Sequence, residues 1–426
     1  MLEVLSTYHY IIIFASIIIV SYFFNSFSKS SGIPSVLMLI ALGMVIGFYV
    51  PWQSKFSFIL EVLGTVGLIL IVLDGALGLK LLKSKVFIIF KSLLVSVVTL
   101  GGTSYLAALF LNHFFKIDLY VSLLLTVPLS ILSSAILLPS IGSIKENKRE
   151  FLIYESTFSD IVGIIVFYTV LGFVNPTSED SEAYGFIIGD LVGTTAFSIL
   201  ISYFLIYIFQ KLKGQAKLFL LISVLMILYA FGEMLNLSSL IIILMFGLIL
   251  NNYKLFFRGV LFKLIDEEEK TLGIIEDFKT VTLESAFVIR TFFFILFGWS
   301  IQLGDLFNLN SFLIGASIVF IIFFVRLITL FLFSRTIKIT EISPELFLAP
   351  RGLLTILLFY AIPKILLGAD INFEGVFLYV IIICSLVMTW ALIKEKKKLK
   401  IQEREDFECL DSEEVEEKNN EKFKEQ

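Results

Sequence analysis

The sequence has few charged residues and few of the residues that build soluble catalytic sites. Only 16% of its 426 residues are charged, against about a quarter in a typical soluble domain. Its two cysteines and two histidines form neither a disulfide framework nor an HExxH zinc motif, and nothing indicates a cofactor. The net charge of −4 argues against a nucleic-acid partner. The chain is instead 58% hydrophobic with a mean hydropathy of +0.95, which is typical of an integral membrane protein.

Apolar segments follow one another along most of the chain. A helix needs ~20 residues to cross ~30 Å of hydrocarbon, and most of these segments approach that length. There are thirteen of them, at residues 8–24, 33–50, 58–79, 86–111, 119–141, 151–173, 186–209, 217–234, 237–250, 283–301, 311–333, 344–366 and 373–393. The sequence therefore predicts an all-α polytopic membrane protein with about 13 transmembrane helices.

The basic residues of the connecting loops predict the orientation of the chain. Alternate loops are rich in Lys and Arg, whereas the loops between them hold only Lys55, Lys116 and Lys364. Because basic loops stay in the cytoplasm, we expect the N-terminus outside and the C-terminus inside. Residues 1–393 then form a transmembrane domain, and the polar, mixed-charge residues 394–426 are expected to form a disordered cytoplasmic tail.

The stretch ESTFSDIVGIIVF in the sixth segment places two carboxylates where burial is costly. Asp160 follows Phe151 by nine residues, so it lies ~14 Å along the helix, near the middle of the bilayer. Ser156 precedes Asp160 by four residues and shares its face, and Glu155 and Ser159 have the same spacing on an adjoining face. These residues indicate an ion site. The alternative is a structural role in holding neighbouring helices together, and it has more weight for Glu155 than for Asp160.

Two segments contain residues that interrupt a helix. Pro128 lies within LLTVPLS in the fifth segment, and Pro350, Arg351 and Gly352 lie within LAPRG in the twelfth. Proline removes a backbone donor and disfavours helix at the preceding residue. The two segments are seven apart, so they cross the membrane in opposite directions. A matched pair of this kind predicts inverted repeats with two crossing broken helices and a binding site at the crossing.

Several further charges lie within apolar segments, and three of them bear on the site. Arg326 in the eleventh segment is costly to bury unless it is paired, and Glu155 is its expected partner. Asp74 in the third segment is open to both a functional and a structural interpretation. Arg290 in the tenth has no partner that the sequence identifies.

These residues resemble the monovalent cation/proton antiporter superfamily, in particular its sodium/proton exchanger branch. The resemblance covers nearly the whole membrane part and depends on the order and spacing of several motifs. They are IVLDGALGL, ESTFSD, LSSLIIILMFGLILNN, RTFFFILFGWSI and LAPRGLLTI. It implies a multi-pass protein of the cell membrane that works as a homodimer in the lipid bilayer.

The resemblance also assigns roles to individual residues. Asp160 matches the position that binds Na⁺, or K⁺, or a proton, and Ser156 matches the family motif beside it. Ser159 stands where the family has Asn. Thr126 belongs to the broken-helix motif, which is usually Thr-Asp-Pro, but Val127 replaces the acid here. Arg326 matches the arginine that pairs with the sixth-segment glutamate, so the Glu155–Arg326 pair is expected to hold and tune the site.

Competition for one carboxylate connects these residues to a function. An ionised aspartate inside the membrane must be neutralised, and either a proton or a dehydrated cation does this. Together with the resemblance, this predicts a secondary-active antiporter of Na⁺, possibly K⁺, and H⁺. Val127 carries no proton and Arg326 does not readily lose one, which favours electroneutral exchange. The alternative is a gated cation channel or another carrier on the same scaffold. An enzyme is disfavoured because the sequence shows no nucleophile–base pair.

Overall fold

The computed structural model describes residues 7–31, 33–50, 55–142, 144–174, 183–211, 217–234, 239–257, 268–301, 308–334, 342–366 and 371–424. Within these ranges the chain is α-helical and contains no β-strand. The helices are α1 (Thr7–Ser31), α2 (Ser35–Tyr49), α3 (Lys55–Gly78), α4 (Val86–Phe115), α5 (Leu119–Ser130), α6 (Ser134–Ser140), α7 (Glu146–Val174), α8 (Ala183–Lys211), α9 (Lys217–Met234), α10 (Ser239–Asn251), α11 (Tyr253–Phe256), α12 (Glu268–Ser300), α13 (Leu309–Ser334), α14 (Leu353–Tyr360) and α15 (Phe373–Lys424).

The described helices make this a multi-pass membrane protein. Eight stretches are long and apolar enough to span a bilayer, and one of them runs through α5 and α6 together. Shorter apolar helices supply four further stretches, Ser35–Tyr49, Gly193–Ile208, Leu218–Gly232 and Ser239–Asn251. The predicted twelfth segment corresponds to the short helix α14 and the non-helical residues before it. The count of thirteen spans and the orientation stay predictions.

The fifth segment is divided into two helices at residues 131–133, which lie between α5 and α6. The sequence placed the interruption at Pro128, but Pro128 lies inside α5 and the helix continues to Ser130. Proline removes one backbone donor without ending the last turn, and the Ser130 hydroxyl donates to the carbonyl oxygen of Thr126 (2.8 Å). The interruption therefore follows the proline by three residues.

The twelfth segment is non-helical at residues 348–352, and this second interruption contacts the first. The amide of Ser133 donates to the carbonyl oxygen of Pro350 at 3.0 Å. Nε of Arg351 donates to the carbonyl oxygen of Leu129 at 2.6 Å. Gly352 lies so close to Ser133 that a Cβ atom there would collide with the serine hydroxyl. The two interruptions form one junction at the centre of the fold.

Helix α7 is surrounded by helices from several parts of the chain. It packs against α3, α4, α5, α6, α8 and α10. Helix α12 packs against α3 and also against α2, and α2 and α12 approach so closely that a side chain at Gly43 or at Gly298 would collide with the backbone of the facing helix. Small residues permit such close contacts in membranes, where packing drives helix association. This packing buries the central part of α7 and positions its polar side chains.

The last helix extends through the tail. Helix α15 runs from Phe373 to Lys424, so the backbone of the tail is helical where the sequence predicted disorder. The tail is rich in Glu and Lys, which are good helix formers. It also continues directly from a membrane helix, so no new helix has to be nucleated. The division of the chain near residue 393 stays a prediction.

Candidate functional site

The Asp160 carboxylate lies where α7 meets the first interruption. Its Oδ2 atom accepts hydrogen bonds from the hydroxyl of Ser134 and, at 3.4 Å, from the Ser134 amide. Ser134 is the first residue of α6, so the carboxylate lies at the positive end of that helix. The sequence analysis did not assign Ser134 to the site. Ser134 and Asp160 are 26 residues apart in the sequence, so no local sequence pattern indicates that they are in contact.

A small cleft of about 10 Å³ opens beside Asp160, and this volume holds about one water molecule. Its walls come from α3, α7, α10 and α14. They are formed by Ile71, Val72, Gly75, Ala76, Thr157, Ile161, Ile164, Leu244 and Leu354. Besides Asp160, Thr157 contributes the polar side chain of this lining. A cation that enters the cleft must therefore lose most of its hydration shell.

Thr157 is a site residue that the sequence analysis missed. It lies three residues before Asp160 on the same helical face, a spacing that was readable in the sequence. Its hydroxyl donates to the carbonyl oxygen of Ile153 at 2.8 Å, which leaves the oxygen lone pairs available to another partner. Among the described residues, no group of three or more His, Cys, Asp or Glu side chains converges. A cation in the cleft would therefore be held by one carboxylate together with neutral oxygen atoms.

The hydroxyl residues that the sequence selected occupy different positions around the site. Ser159 accepts a hydrogen bond from the Leu132 amide (2.9 Å), one of the donors freed by the interruption. Ser156 is buried and donates to the carbonyl oxygen of Ile153 (3.3 Å). Thr126 donates to the backbone carbonyls of Ser104 and Ser122 at 2.9 and 2.8 Å, and it is not part of the cleft lining. These three side chains hold the backbone around the cleft.

The structure joins Glu155 and Arg326 in a buried, bidentate ion pair. Nη1 of Arg326 lies 2.6 Å from Oε1 of Glu155, and Nη2 lies 3.0 Å from Oε2. The side chains are only 1% and 2% exposed. Arg326 also donates from Nε and Nη2 to the carbonyl oxygen of Glu345, at 3.0 and 2.9 Å. The pair therefore ties α7 to α13 and to the turn that precedes the second interruption.

Arg351 is a second fully buried arginine, and its contacts are backbone carbonyls. Besides Leu129, it faces the carbonyl oxygens of Ala349 and Pro350 at 3.3 and 3.4 Å. Leu129 lies in the last turn of α5, where carbonyl groups without a helical partner carry partial negative charge. Arg351 thus neutralises the carboxyl end of α5 while Asp160 neutralises the amino end of α6.

Asp74 and Arg290 are two charged residues near the cleft that attract each other electrostatically. Asp74 is half-buried in α3 and precedes Gly75 of the cleft wall by one residue. The cations that attract its charge are Arg290 and Lys279. Arg290, for which the sequence gave no partner, also donates from Nη1 to the carbonyl oxygen of Ala135 in α6 (3.1 Å). These contacts connect α3 and α12 to the junction.

Comparison with known proteins gives a family match and two structural matches. A family model described as "Sodium/hydrogen exchanger, transmembrane" matches residues 13–394. The structure of the sodium proton antiporter MjNhaP1 from Methanocaldococcus jannaschii at pH 8 is 21% identical, with a TM-score of 0.65 over 90% of this chain and 95% of that chain. The electron-microscopy structure of that antiporter is 18% identical, with a TM-score of 0.64 over 92% and 96% of the two chains. No curated protein sequence matches the chain. The structural matches support the fold.

Proposed function

The chain belongs to the sodium/hydrogen exchanger family, whose members are transporters and not enzymes, and from this premise we propose that it exchanges Na⁺ for H⁺ by competition at Asp160. The observation that carries the proposal is the position of the Asp160 carboxylate. It lies at the amino end of α6 and beside a cleft whose volume holds about one water molecule. A charge in such a place requires neutralisation. Proton and cation bind to the same oxygen atoms, so the arrival of one requires the departure of the other.

The proposed cation site combines the carboxylate with neutral oxygen atoms. Asp160 supplies the charge, the Thr157 hydroxyl lines the cleft beside it, and the Ser134 hydroxyl donates to the same carboxylate. Oxygen ligands suit small hard cations such as Na⁺. Ser159, Ser156 and Thr126 support the backbone from which these ligands project. K⁺ is an alternative substrate for the same set of oxygen atoms.

Only one negative charge is free to alternate in this proposal, so exchange is electroneutral. Glu155 is bound on both carboxylate oxygens by Arg326, and arginine keeps its proton in proteins. Val127 offers no titrating group. One proton leaves when one Na⁺ binds, and the charge carried in each direction is equal. The cell membrane as location and a homodimer as the working form are part of the same proposal.

Proton flux in proteoliposomes that contain a pH-sensitive dye tests the proposal. The wild-type protein should give Na⁺-triggered proton movement that persists when valinomycin and K⁺ hold the membrane potential at zero, whereas Asp160→Asn should abolish it. Asp277→Asn, at an exposed position of α12, is the matched control and should transport normally. Near-normal Na⁺-driven proton flux in purified Asp160→Asn would refute the assignment. Cation flux without any coupled proton flux would indicate a channel.

A further inference from the structure

A cavity of about 300 Å³ lies away from the Asp160 cleft, between the first turns of α4 and α7, the end of α13 and the turn at residues 342–348. Its polar residues include Lys91, Lys148 and Glu345. Its apolar residues include Phe87, Phe333 and Ile342. The mixture of cationic and apolar groups in one concave space is unlike the small cleft at Asp160.

The charges around this cavity leave one positive charge in excess. Nζ of Lys148 donates to Oε2 of Glu345 (2.7 Å) and to the carbonyl oxygen of Ser343 (2.6 Å). Nearby, Lys85 binds Glu150 and Arg149 binds Glu146, so each of these three carboxylates is paired with a cation. Lys91 lies over the Phe151 ring, with Nζ 5.5 Å from the centroid, and no carboxylate of the described residues lies within ion-pair distance of it. Its charge therefore favours an anionic ligand.

The backbone around the cavity favours an anion as well. Phe87 belongs to the first turn of α4, and Asn147 and Lys148 belong to the first turn of α7. Amide groups in the first turn of a helix lack a helical acceptor and carry partial positive charge. The amino ends of two helices therefore lie next to the cavity and add partial positive charge to that of Lys91, while the Lys148 amide itself donates to the carbonyl oxygen of Lys145 at 3.0 Å.

The edge of the cavity continues into the lipid-facing surface. Phe87 is 84% exposed, and Val86 and Phe90 beside it are 59% and 58% exposed, which is expected of side chains that contact acyl chains. An amphipathic ligand can therefore place its anionic head in the cavity and its apolar part along α4. A small water-soluble anion would leave the apolar walls without a partner.

We propose that this cavity binds the phosphate headgroup of an acidic phospholipid, with Lys91 as the cation that recognises it. Basic pockets between membrane helices bind such headgroups, and a Lys near the membrane surface contributes enough to change lipid affinity roughly fivefold. The proposal does not depend on which cation the protein transports. It predicts one tightly held lipid for each chain.

Native mass spectrometry of the purified full-length protein, titrated with lipids, tests this proposal. Phosphatidylglycerol should be retained as one molecule per chain, in preference to phosphatidylcholine with the same acyl chains. Lys91→Gln should weaken retention of phosphatidylglycerol roughly fivefold, and Lys91→Arg should preserve it. Lys145→Gln removes an exposed lysine at the same end of the molecule, outside the cavity lining, and should have no effect. A thermal melt of each variant establishes that it is folded.

Three results would overturn the proposal. The first is equal retention of phosphatidylglycerol and phosphatidylcholine, because the site would then not recognise the anionic charge. The second is an equal effect of Lys91→Gln and Lys145→Gln, because the lipid would then respond to overall surface charge. The third is displacement of the bound lipid by millimolar inorganic phosphate, because a free anion and not a lipid would then be the preferred ligand.

Discussion

Thr157 and Thr169 make the same hydrogen bond in α7, each to the carbonyl oxygen four residues earlier. Of these two, Thr157 lines the cleft next to Asp160. A comparison of the two threonines therefore distinguishes the contribution of a hydroxyl to helix stability from its contribution to cation binding. They give a test of the proposed cation site that leaves the carboxylate untouched.

Thr157→Val should weaken the apparent affinity for Na⁺ about threefold to tenfold, because it removes one neutral oxygen from the cleft at nearly constant volume. The maximal exchange rate at saturating Na⁺ should change less, since Asp160 is still present. Thr169→Val is the control and should leave the Na⁺ dependence unchanged. The measurement is the Na⁺ concentration that gives half-maximal proton flux in proteoliposomes. Equal Na⁺ affinities in the two variants would exclude Thr157 as a ligand.

The buried pair makes a prediction about stability. Glu155→Gln should lower the free energy of unfolding by about 3–5 kcal/mol, because Arg326 would keep its charge in a site that is 2% exposed. The double variant Glu155→Gln, Arg326→Gln should cost less than the sum of the two single variants, since it buries no unpaired charge. Glu284→Gln, at an exposed position of α12, is the control. Melting in detergent compares the wild type with these four variants, and strictly additive effects of the two single substitutions would refute a direct pair.

Single residues could be predicted from the sequence where the helix period or charge balance constrained them. The helical period predicted that Ser156 lies on the same face as Asp160. Because an unpaired buried cation is costly, Arg326 required an acidic partner, and Glu155 was the predicted one. Ser134 could not be predicted in this way, because its contact with Asp160 depends on how two helices 26 residues apart in sequence pack. Thr126 was selected by its motif alone, and a motif does not reveal that its hydroxyl is bonded to α4.

At the scale of secondary-structure elements, the two interruptions act as one unit. The Ser133 amide joins them directly, Arg351 binds the end of α5, and Asp160 binds the start of α6. The helix ends at this junction are therefore neutralised by side chains of opposite sign. The local sequence predicted that α5 would be interrupted near a proline, but the position of the interruption depends on these tertiary partners.

Gly352→Ala should destabilise the junction by about 1–3 kcal/mol and slow exchange. The backbone at Gly352 is compatible with alanine, but the added methyl group would collide with the Ser133 hydroxyl and lie 3.0 Å from Cδ1 of Ile136. Gly101→Ala in α4 is the control, because a Cβ atom there meets no neighbour within 4 Å and alanine favours helix. Thermal melts and proton flux measure both effects. A Gly352→Ala protein as stable as Gly101→Ala would show that the junction opens freely at this point.

At the scale of the whole molecule, a single alternating charge predicts transport that does not respond to membrane potential. Exchange of Na⁺ for H⁺ should proceed at the same rate when valinomycin and K⁺ set the potential to different values, with K⁺ tested separately as a substrate. The reason is that Arg326 holds Glu155 and no acid stands at Val127. If an imposed potential drives exchange without ion gradients, a second titrating group takes part. Asp74, one residue from the cleft wall, would be the first to replace with Asn.

The overall architecture was the most predictable level, because hydrophobic length alone determines where a chain can cross a bilayer. The apolar run of residues 311–333 became α13 within a few residues, and that of residues 217–234 became α9 with the same bounds. The short helix α14 was less predictable, since apolar composition does not distinguish a spanning helix from a partly extended segment. The helical backbone of the tail, which runs to Lys424, was not readable from its composition, because a polar, mixed-charge composition reports solvation and not local helix propensity.

The hydrogen bond from the Ser133 amide to the Pro350 carbonyl oxygen makes movement between the two interruptions measurable. Backbone amides exchange their protons with deuterated solvent only when their acceptors release them, so the amide of Ser133 records each separation of the two interruptions. The neighbouring amide of Leu132 is held by a side chain of α7 and records a different separation, between α7 and the first interruption. Deuterium uptake at these two adjacent positions, compared between resting and transporting protein, therefore identifies which of the two contacts opens during the cycle.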